Sequence, residues 1–212
     1  MSESHAGRHP RADDHEREHE RARDSHGGDD SASVAGSRAV GYPRGLVTTV
    51  SRVYLAGPLG FSEAGRHFYR SVFVPFVAGL GYEVIDPWAH TDQRKIEAIE
   101  RLPPGPERLA AWRALNHEIG AANRAAIDRA HGVIAILDGT DVDSGTAAEI
   151  GYAFARGKLI VGYRGDFRLS ADNEGSTVNL QVEFFIRESG GTIVSRYEDL
   201  GPSLRGLRAS AP

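Results

Sequence analysis

The chain has 212 residues, no cysteine and a formal net charge of −4 at pH 7. The absence of cysteine excludes disulfides, thiolate nucleophiles and cysteine-ligated metals. The mildly acidic balance gives no general attraction to a nucleic-acid polymer or an anionic membrane. Hydrophobic residues make up 40%, enough to fold most of the chain around a core. No apolar run reaches the ~18–20 residues of a membrane helix and the N-terminus shows no apolar signal core, so the expected location is the cytoplasm.

Residues 1–45 form one compositional block. His15-Glu16-Arg17-Glu18-His19-Glu20-Arg21 is wholly charged or titratable, and Gly27-Gly28-Asp29-Asp30-Ser31 is linker-like. Such a segment cannot bury enough apolar surface to offset its ordering entropy, so it is expected to be a disordered tail. Five of the nine histidines lie here (His5, His9, His15, His19 and His26). The solvated-tail reading outweighs a metal-binding one.

From residue 46 the texture changes, and a folded domain is expected over residues 46–205. Residues 47–56 (VTTVSRVYLA) read as a first strand broken by Gly57-Pro58. Residues 64–80 have helical spacing, with Pro75 expected to kink the helix or mark its boundary. A short strand over residues 82–85 ends at Asp86-Pro87-Trp88. A Pro-rich loop covers residues 102–107, and an Ala-rich helix residues 109–129. Residues 132–137 (GVIAIL) read as a strand buried on both faces. A loop over residues 138–144 leads to a helix over residues 146–156, which Gly157 ends. Strands at 159–163 and 192–194 flank a helix at 179–189. This alternation predicts right-handed βαβ units in one flavodoxin-like (Rossmann-like) α/β domain, a parallel sheet flanked by helices. Ligands of such sheets bind beyond the carboxyl ends of the strands, which directs attention to the loops after Ala56, Ile85 and Leu137.

The third loop reads Asp138-Gly139-Thr140-Asp141-Val142-Asp143-Ser144-Gly145-Thr146-Ala147-Ala148-Glu149. One reading is a capped helix start, with Ser144 or Thr146 as N-cap and Glu149 closing a capping box. The other is catalytic. A carboxylate in the first helical turn sits in the positive end of the helix dipole, which favours its ionised form, and an ionised carboxylate can attack an anomeric carbon. Retaining glycosyl transfer needs that nucleophile and a second acidic group, which Asp143 or Asp141 would supply. Gly145 leaves the approach to Glu149 open. Trp88 is balanced between lining a base pocket and closing the core, and capping the turn is the stronger reading of Asp86. His67, His90, His117 and His131 form no ligand spacing, so no metal is expected.

Tyr54-Leu55-Ala56-Gly57-Pro58, the segment from Asp143 to Ala153 with the pattern D-x-G-T-A-x-E-x-G-x-A, and Val178-Asn179-Leu180 together resemble the nucleoside 2-deoxyribosyltransferase family, in that family's order and spacing. The resemblance implies transfer of a 2-deoxyribosyl group between nucleobases, with no cofactor. It implies Glu149 as nucleophile, Tyr54 as the group that orients it, and Asp143 as the contact that helps protonate the base. Phe61 matches an aromatic set against the base, with Gly57 in the same loop. Asn179 matches an asparagine that completes a neighbouring subunit's site at the sugar 5′-hydroxyl, which implies a homo-oligomer with shared sites. Partners are then small deoxynucleosides and free nucleobases. One position departs from the pattern: Asn123 stands where many members carry aspartate, and asparagine does not transfer a proton at neutral pH.

Three rivals share parts of this pattern. A 2′-deoxynucleoside 5′-monophosphate N-hydrolase would keep the glutamate and need a phosphate site, for which Ser62 and Arg66 are candidates. The phosphoribohydrolases with P-G-G-x-G-T-x-x-E would need a double glycine where this chain has Val142-Asp143-Ser144. A non-catalytic nucleotide sensor is compatible with the fold alone.

Overall fold

The computed structural model describes residues 50–209, with side chains to residue 207. The expected tail over residues 1–45 and the start of the first expected strand, residues 47–49, lie outside the described residues.

Five strands build the sheet: β1 (Arg52–Ala56), β2 (Glu83–Ile85), β3 (Gly132–Ile136), β4 (Leu159–Tyr163) and β5 (Ile193–Val194). All pair in parallel in the order β2-β1-β3-β4-β5. The chain steps from β1 to one side and then crosses to the other, so the order reverses between β1 and β3. This is the flavodoxin-like arrangement, and its switch point is where a crevice opens. The expected α/β class is thus the observed one.

Successive strand residues point to opposite faces, and both faces are covered. On one, Tyr54, Val133, Ala135 and Leu137 pack against α5 (Pro106–Arg129), α6 (Ser144–Ala155) and α7 (Leu180–Glu188) through Ile127, Ile150 and Ile186. On the other, Val53, Leu55, Ile134, Ile136 and Val161 pack on Phe73, Val77, Leu200 and Leu204. Burial on both faces explains why β3 and β4 read as unbroken apolar runs.

The helix expected over residues 64–80 is three pieces in series: α1 (Glu63–Phe68), a π-helical turn (Tyr69–Phe73) and α2 (Val74–Gly79). Val74 N–H donates to the Tyr69 carbonyl, five residues back. Pro75 follows at the start of α2. Proline lacks the N–H of an α-helical bond and crowds the carbonyl four residues earlier; the widened turn absorbs both effects.

Two helices escaped the sequence reading. α3 (Pro87–His90) starts at Asp86, whose carboxylate accepts from Trp88 N–H at 2.9 Å, and α4 (Gln93–Glu100) starts at Asp92. Both are short, with one or no buried side chain, so each offers few apolar residues from which a helix can be read. α5 begins at Pro106, inside the expected loop, with proline at the first helical position where its missing N–H costs nothing.

The segment from Arg205 onward also differs from expectation. It forms α9 (Arg205–Ala209) after α8 (Leu200–Ser203) and docks on the sheet instead of trailing from it. Leu204 and Leu207 are buried. The Leu204 carbonyl accepts from Tyr82 Oη at 2.9 Å, and that of Leu207 from Ser51 Oγ at 3.2 Å. A Cβ at Gly132 would lie 2.7 Å from Leu207 Cδ2, so glycine there lets the helix settle.

Candidate active site

A cavity of about 590 Å³ opens at the carboxyl ends of β1, β2 and β3, within the range of small-ligand sites. Glu149, on α6, lines it. Its Oε1 accepts two hydrogen bonds, from Tyr54 Oη at 2.7 Å and from Asn123 Nδ2 at 3.3 Å. Among the described residues its Oε2 accepts none. One carboxylate oxygen is therefore held and the other accepts no hydrogen bond from them, in a residue that lines the cavity.

Tyr54 sits in the middle of β1, fully buried. Burial, and then the adjacent Glu149 carboxylate, push its phenol far above the ordinary tyrosine range. It stays protonated and acts only as a donor. Asn123 lies on the α5 face that also carries Asn116 and Ile119 into the cavity; positions three, four and seven apart share one helical face. Burial raises the Glu149 pKa above the ordinary glutamate value, Tyr54 opposes this, the nearby Asp143 charge adds to it, and Asn123 opposes it.

This corrects two expectations. The N-cap of α6 is Asp143, not Ser144 or Thr146: its Oδ2 accepts from Thr146 N–H at 2.9 Å and Thr146 Oγ1 at 3.1 Å. Glu149 then lies in the second turn, outside the capping box and beyond the strongest part of the dipole. Desolvation wins over the dipole, so the protonated form is favoured relative to a free glutamate. Asp143 also lines the cavity. Its Oδ1 accepts no hydrogen bond among the described residues.

The opposite chemistry comes from the first two loops. Trp88, partly buried on α3, packs flat against the backbone of Gly60, where a Cβ would lie 2.3 Å from the indole. Phe61 meets the same indole edge-on, with centroids 4.8 Å apart, and its ring is 73% exposed. An aromatic left this open beside a partly buried one is a surface on which a flat ring can stack. Gly57 and Gly145 complete the cavity floor without side chains.

Eight of the ten residues singled out in the sequence thus meet here: Glu149, Asp143, Gly57, Phe61, Asn123, Gly145 and Trp88 in the wall, and Tyr54 behind Glu149. Two do not. Asp141 is exposed, and its carboxylate accepts from the next backbone N–H, of Val142, at 2.7 Å. Asn179 caps α7 by accepting from Gln181 and Val182 N–H groups and lies outside this chain's cavity. The sequence reading missed Tyr69, Arg70, Gln93, Ile96 and Asn116, which also line it. Tyr69 donates to Asp86 Oδ1 at 2.8 Å, so Asp86 both caps α3 and holds a cavity-wall tyrosine. Arg66, noted as a phosphate candidate, lines the cavity, whereas Ser62 is used as the α1 cap through Gly65 N–H. Among the described residues no group of three or more His, Cys, Asp or Glu stands where it can hold a metal ion.

A parallel sheet in switch-point order, with a strand tyrosine pinning a helix carboxylate in a cavity that two aromatic rings also line, defines an α/β protein of the flavodoxin-like arrangement. The model of the nucleoside 2-deoxyribosyltransferase family matches residues 53–181, more than half of the chain, and the chain belongs to that family of glycosyl-transferring and hydrolysing enzymes. An uncharacterized protein of Schizosaccharomyces pombe is 29% identical over 140 residues, covering 64% of this chain and 60% of that protein, so the match spans less than two thirds of the relative. Two solved structures share the fold. A conserved protein from Enterococcus faecalis superposes with a TM-score of 0.54 at 22% identity, covering 74% of this chain and 99% of the other. The 2-deoxyribosyltransferase of Bacillus psychrosaccharolyticus does so with a TM-score of 0.51 at 18% identity, covering 74% and 96%.

Proposed function

We propose that the chain transfers a 2-deoxyribosyl group from one nucleobase to another through a covalent ester on Glu149. The observation that carries this reading is the asymmetry of the Glu149 carboxylate. Oε1 is fixed by Tyr54 and Asn123, while Oε2 of this cavity-lining residue accepts no hydrogen bond among the described residues. A fixed carboxylate needs little reorganisation as positive charge develops at the anomeric carbon. Oε2 attacks C1′ as the C1′–N bond breaks, and the bonding pair leaves with the base, which takes up a proton on the side of Asp143. The nitrogen of an incoming base then attacks C1′, releases the carboxylate and gives up its N–H proton on the same side, which restores the proton lent to the first base. Phe61 and Trp88 hold the base by stacking.

Asn179 serves the sugar in a neighbouring chain's site in this reading. Leu180 and Phe184 of α7 are each 51% exposed, an apolar face beside Asn179 that suits an interface between copies.

Incubation with a deoxynucleoside and a different free base tests the reaction. A new deoxynucleoside with ping-pong kinetics is expected; free deoxyribose alone indicates a hydrolase, and no reaction indicates a sensor. Mixing inactive Glu149→Ala and Asn179→Ala chains after dissociation tests the shared site. Activity should partly return, and mixed oligomers as inactive as their parents overturn that part.

A further inference from the structure

The site holds a second tyrosine–carboxylate pair that the transfer chemistry does not use. Tyr69, at the start of the π-helical turn, is buried and yet lines the cavity. Its Oη donates to Asp86 Oδ1 at 2.8 Å. The same oxygen accepts from Trp88 N–H at 2.9 Å, so one atom joins the helix after β1 to the first turn of α3. Burial first, and then the Asp86 carboxylate, push the Tyr69 phenol far above the ordinary tyrosine range. It therefore remains a donor, as Tyr54 does. Trp88 needs such a tether. α3 is four residues long and contributes no fully buried side chain, and so short a helix has little stability of its own. The indole rests on the Gly60 backbone and meets Phe61 edge-on. The Gly60 carbonyl is in turn held by Arg66 Nη1 at 3.2 Å. Both supports of Trp88, Gly60–Phe61 and Tyr69 acting through Asp86, thus belong to the segment that follows β1.

We propose that Tyr69 is a positioning residue for the nucleobase: through Asp86 it fixes the Trp88 indole in the pose on which the base stacks, and so sets base affinity without acting on the bond-breaking step. This rests on the glycosyl-transfer reading given above. The two pairs divide the work. Tyr54 fixes the carboxylate that meets the sugar carbon, where misplacement slows the chemistry. Tyr69 fixes the ring that meets the base, where misplacement weakens binding of ground state and transition state alike. A hydroxyl that does not touch the substrate matters here through preorganisation. An indole free to change its position must give up that freedom at each binding event, at a cost to affinity.

Three variants of the full-length protein test this. Tyr69→Phe removes the hydroxyl alone, Asp86→Asn keeps an oxygen that can accept both bonds, and Asp86→Ala removes the acceptor. All are made with Trp112→Phe, which leaves Trp88 as the one tryptophan of the chain, and thermal melts check that they fold. Free adenine and free thymine are titrated against Trp88 fluorescence, and base exchange is measured on the same samples. Tyr69→Phe should raise Kd and KM for the base about tenfold, the scale of one hydrogen bond to a charged group. Its kcat at saturation should stay within about twofold, as when uniform binding is lost, and its Trp88 emission should be quenched more readily by acrylamide. Asp86→Asn should stay close to the parent, and Asp86→Ala should lose at least as much as Tyr69→Phe. An unchanged Kd in Tyr69→Phe overturns the proposal, as does a loss confined to kcat, which assigns Tyr69 to the chemistry. Asp86→Asn as impaired as Asp86→Ala also overturns it, because the charge and not the position then matters. If the parent protein exchanges no base, the glycosyl-transfer reading fails separately and the fluorescence titration alone decides. A parent protein that binds neither base overturns the proposal.

Discussion

The carboxyl ends of β1 and β3 flank the cavity, and those of β3 and β4 adjoin one another in the same sheet; both places carry aspartates and arginines, yet they use them differently. At the junction of β3 and β4, Asp138, just past β3, accepts through Oδ1 from the N–H groups of Gly165 and Asp166 at 2.7 and 2.9 Å, Asp166 pairs with Arg168, and Arg164 donates to three carbonyls. The polar groups there satisfy one another and tie two loops together. Beside β1 and β3, among the described residues, Glu149 keeps one oxygen free, Asp143 keeps another, and Arg66 and Arg70 have no carboxylate partner. The difference follows from topology. Where the strand order reverses, neighbouring loops lead away from each other and leave room; where it continues, they close together. Polar residues at strand ends become a site only where the sheet prevents them from neutralising each other.

The strongest way to break this comparison is to remove its central group. Glu149→Ala should lower base exchange by roughly 10³-fold or more, as loss of a covalent nucleophile does, with the fold retained by circular dichroism. Substantial exchange in that variant assigns the chemistry elsewhere.

A second test uses pH. Burial raises the Glu149 pKa and the nucleophile must be ionised, so activity should fall with decreasing pH through a value above the ordinary glutamate range. Tyr54→Phe removes a donor that opposes the rise, so the acid limb should move to still higher pH. The rate at neutral pH should fall about 10- to 100-fold, as expected for one hydrogen bond to a charged group. Stability moves the other way. A carboxyl whose folded pKa is raised favours the fold while protonated and loses that contribution as pH rises through the folded value. Glu149→Gln should therefore melt higher than the wild type at pH 7, with the difference shrinking in acid. A Gln variant that melts lower at pH 7 contradicts the desolvation account.

At the junction of β3 and β4, Asp138→Ala should cost stability and spare the chemistry. Two N–H groups lose a charged acceptor, worth about 1–3 kcal/mol, which lowers the melting temperature by several degrees for a domain of this size. Thermal melts and exchange assays on the same sample separate the two effects, and a large loss of kcat at unchanged stability would place Asp138 in the site. The smallest effect is expected from deleting residues 1–45, whose composition shows no periodic apolar face: kcat/KM should stay within about twofold, since nothing there resembles a packed element. A larger loss would tie that segment to catalysis.

The legible part of the molecule was the part set by local pattern. Unbroken apolar runs gave β3 and β4, and the Asp143-to-Ala153 segment with Tyr54 upstream gave the centre of the site. What stayed hidden was set by packing in three dimensions. Asp141 and Asp143 follow one strand as candidates for the second acidic group, yet only Asp143 reaches the cavity, because the loop's path decides which carboxylate turns inward. Tyr69, Arg70 and Asn116 lie on helices whose rotation about their axes depends on contacts with the sheet. The ionisation tendency of Glu149 was misjudged because burial, which raises its pKa, depends on how α5, α6 and β1 pack together and leaves no trace in the local pattern.

The π-helical turn at Tyr69–Phe73 sets a phase. It inserts one residue beyond the regular count, and one residue is about 100° of helical rotation. Upstream of it, Arg66 looks toward the cavity; downstream, Val77 looks into the core. A single-residue deletion within the turn would restore regular winding and could satisfy only one of these orientations. A tolerant-looking stretch of exposed helix is therefore a keyed joint, where length matters more than identity. A scan across residues 62–79 should show substitutions at Ser71 accepted and deletions there refused.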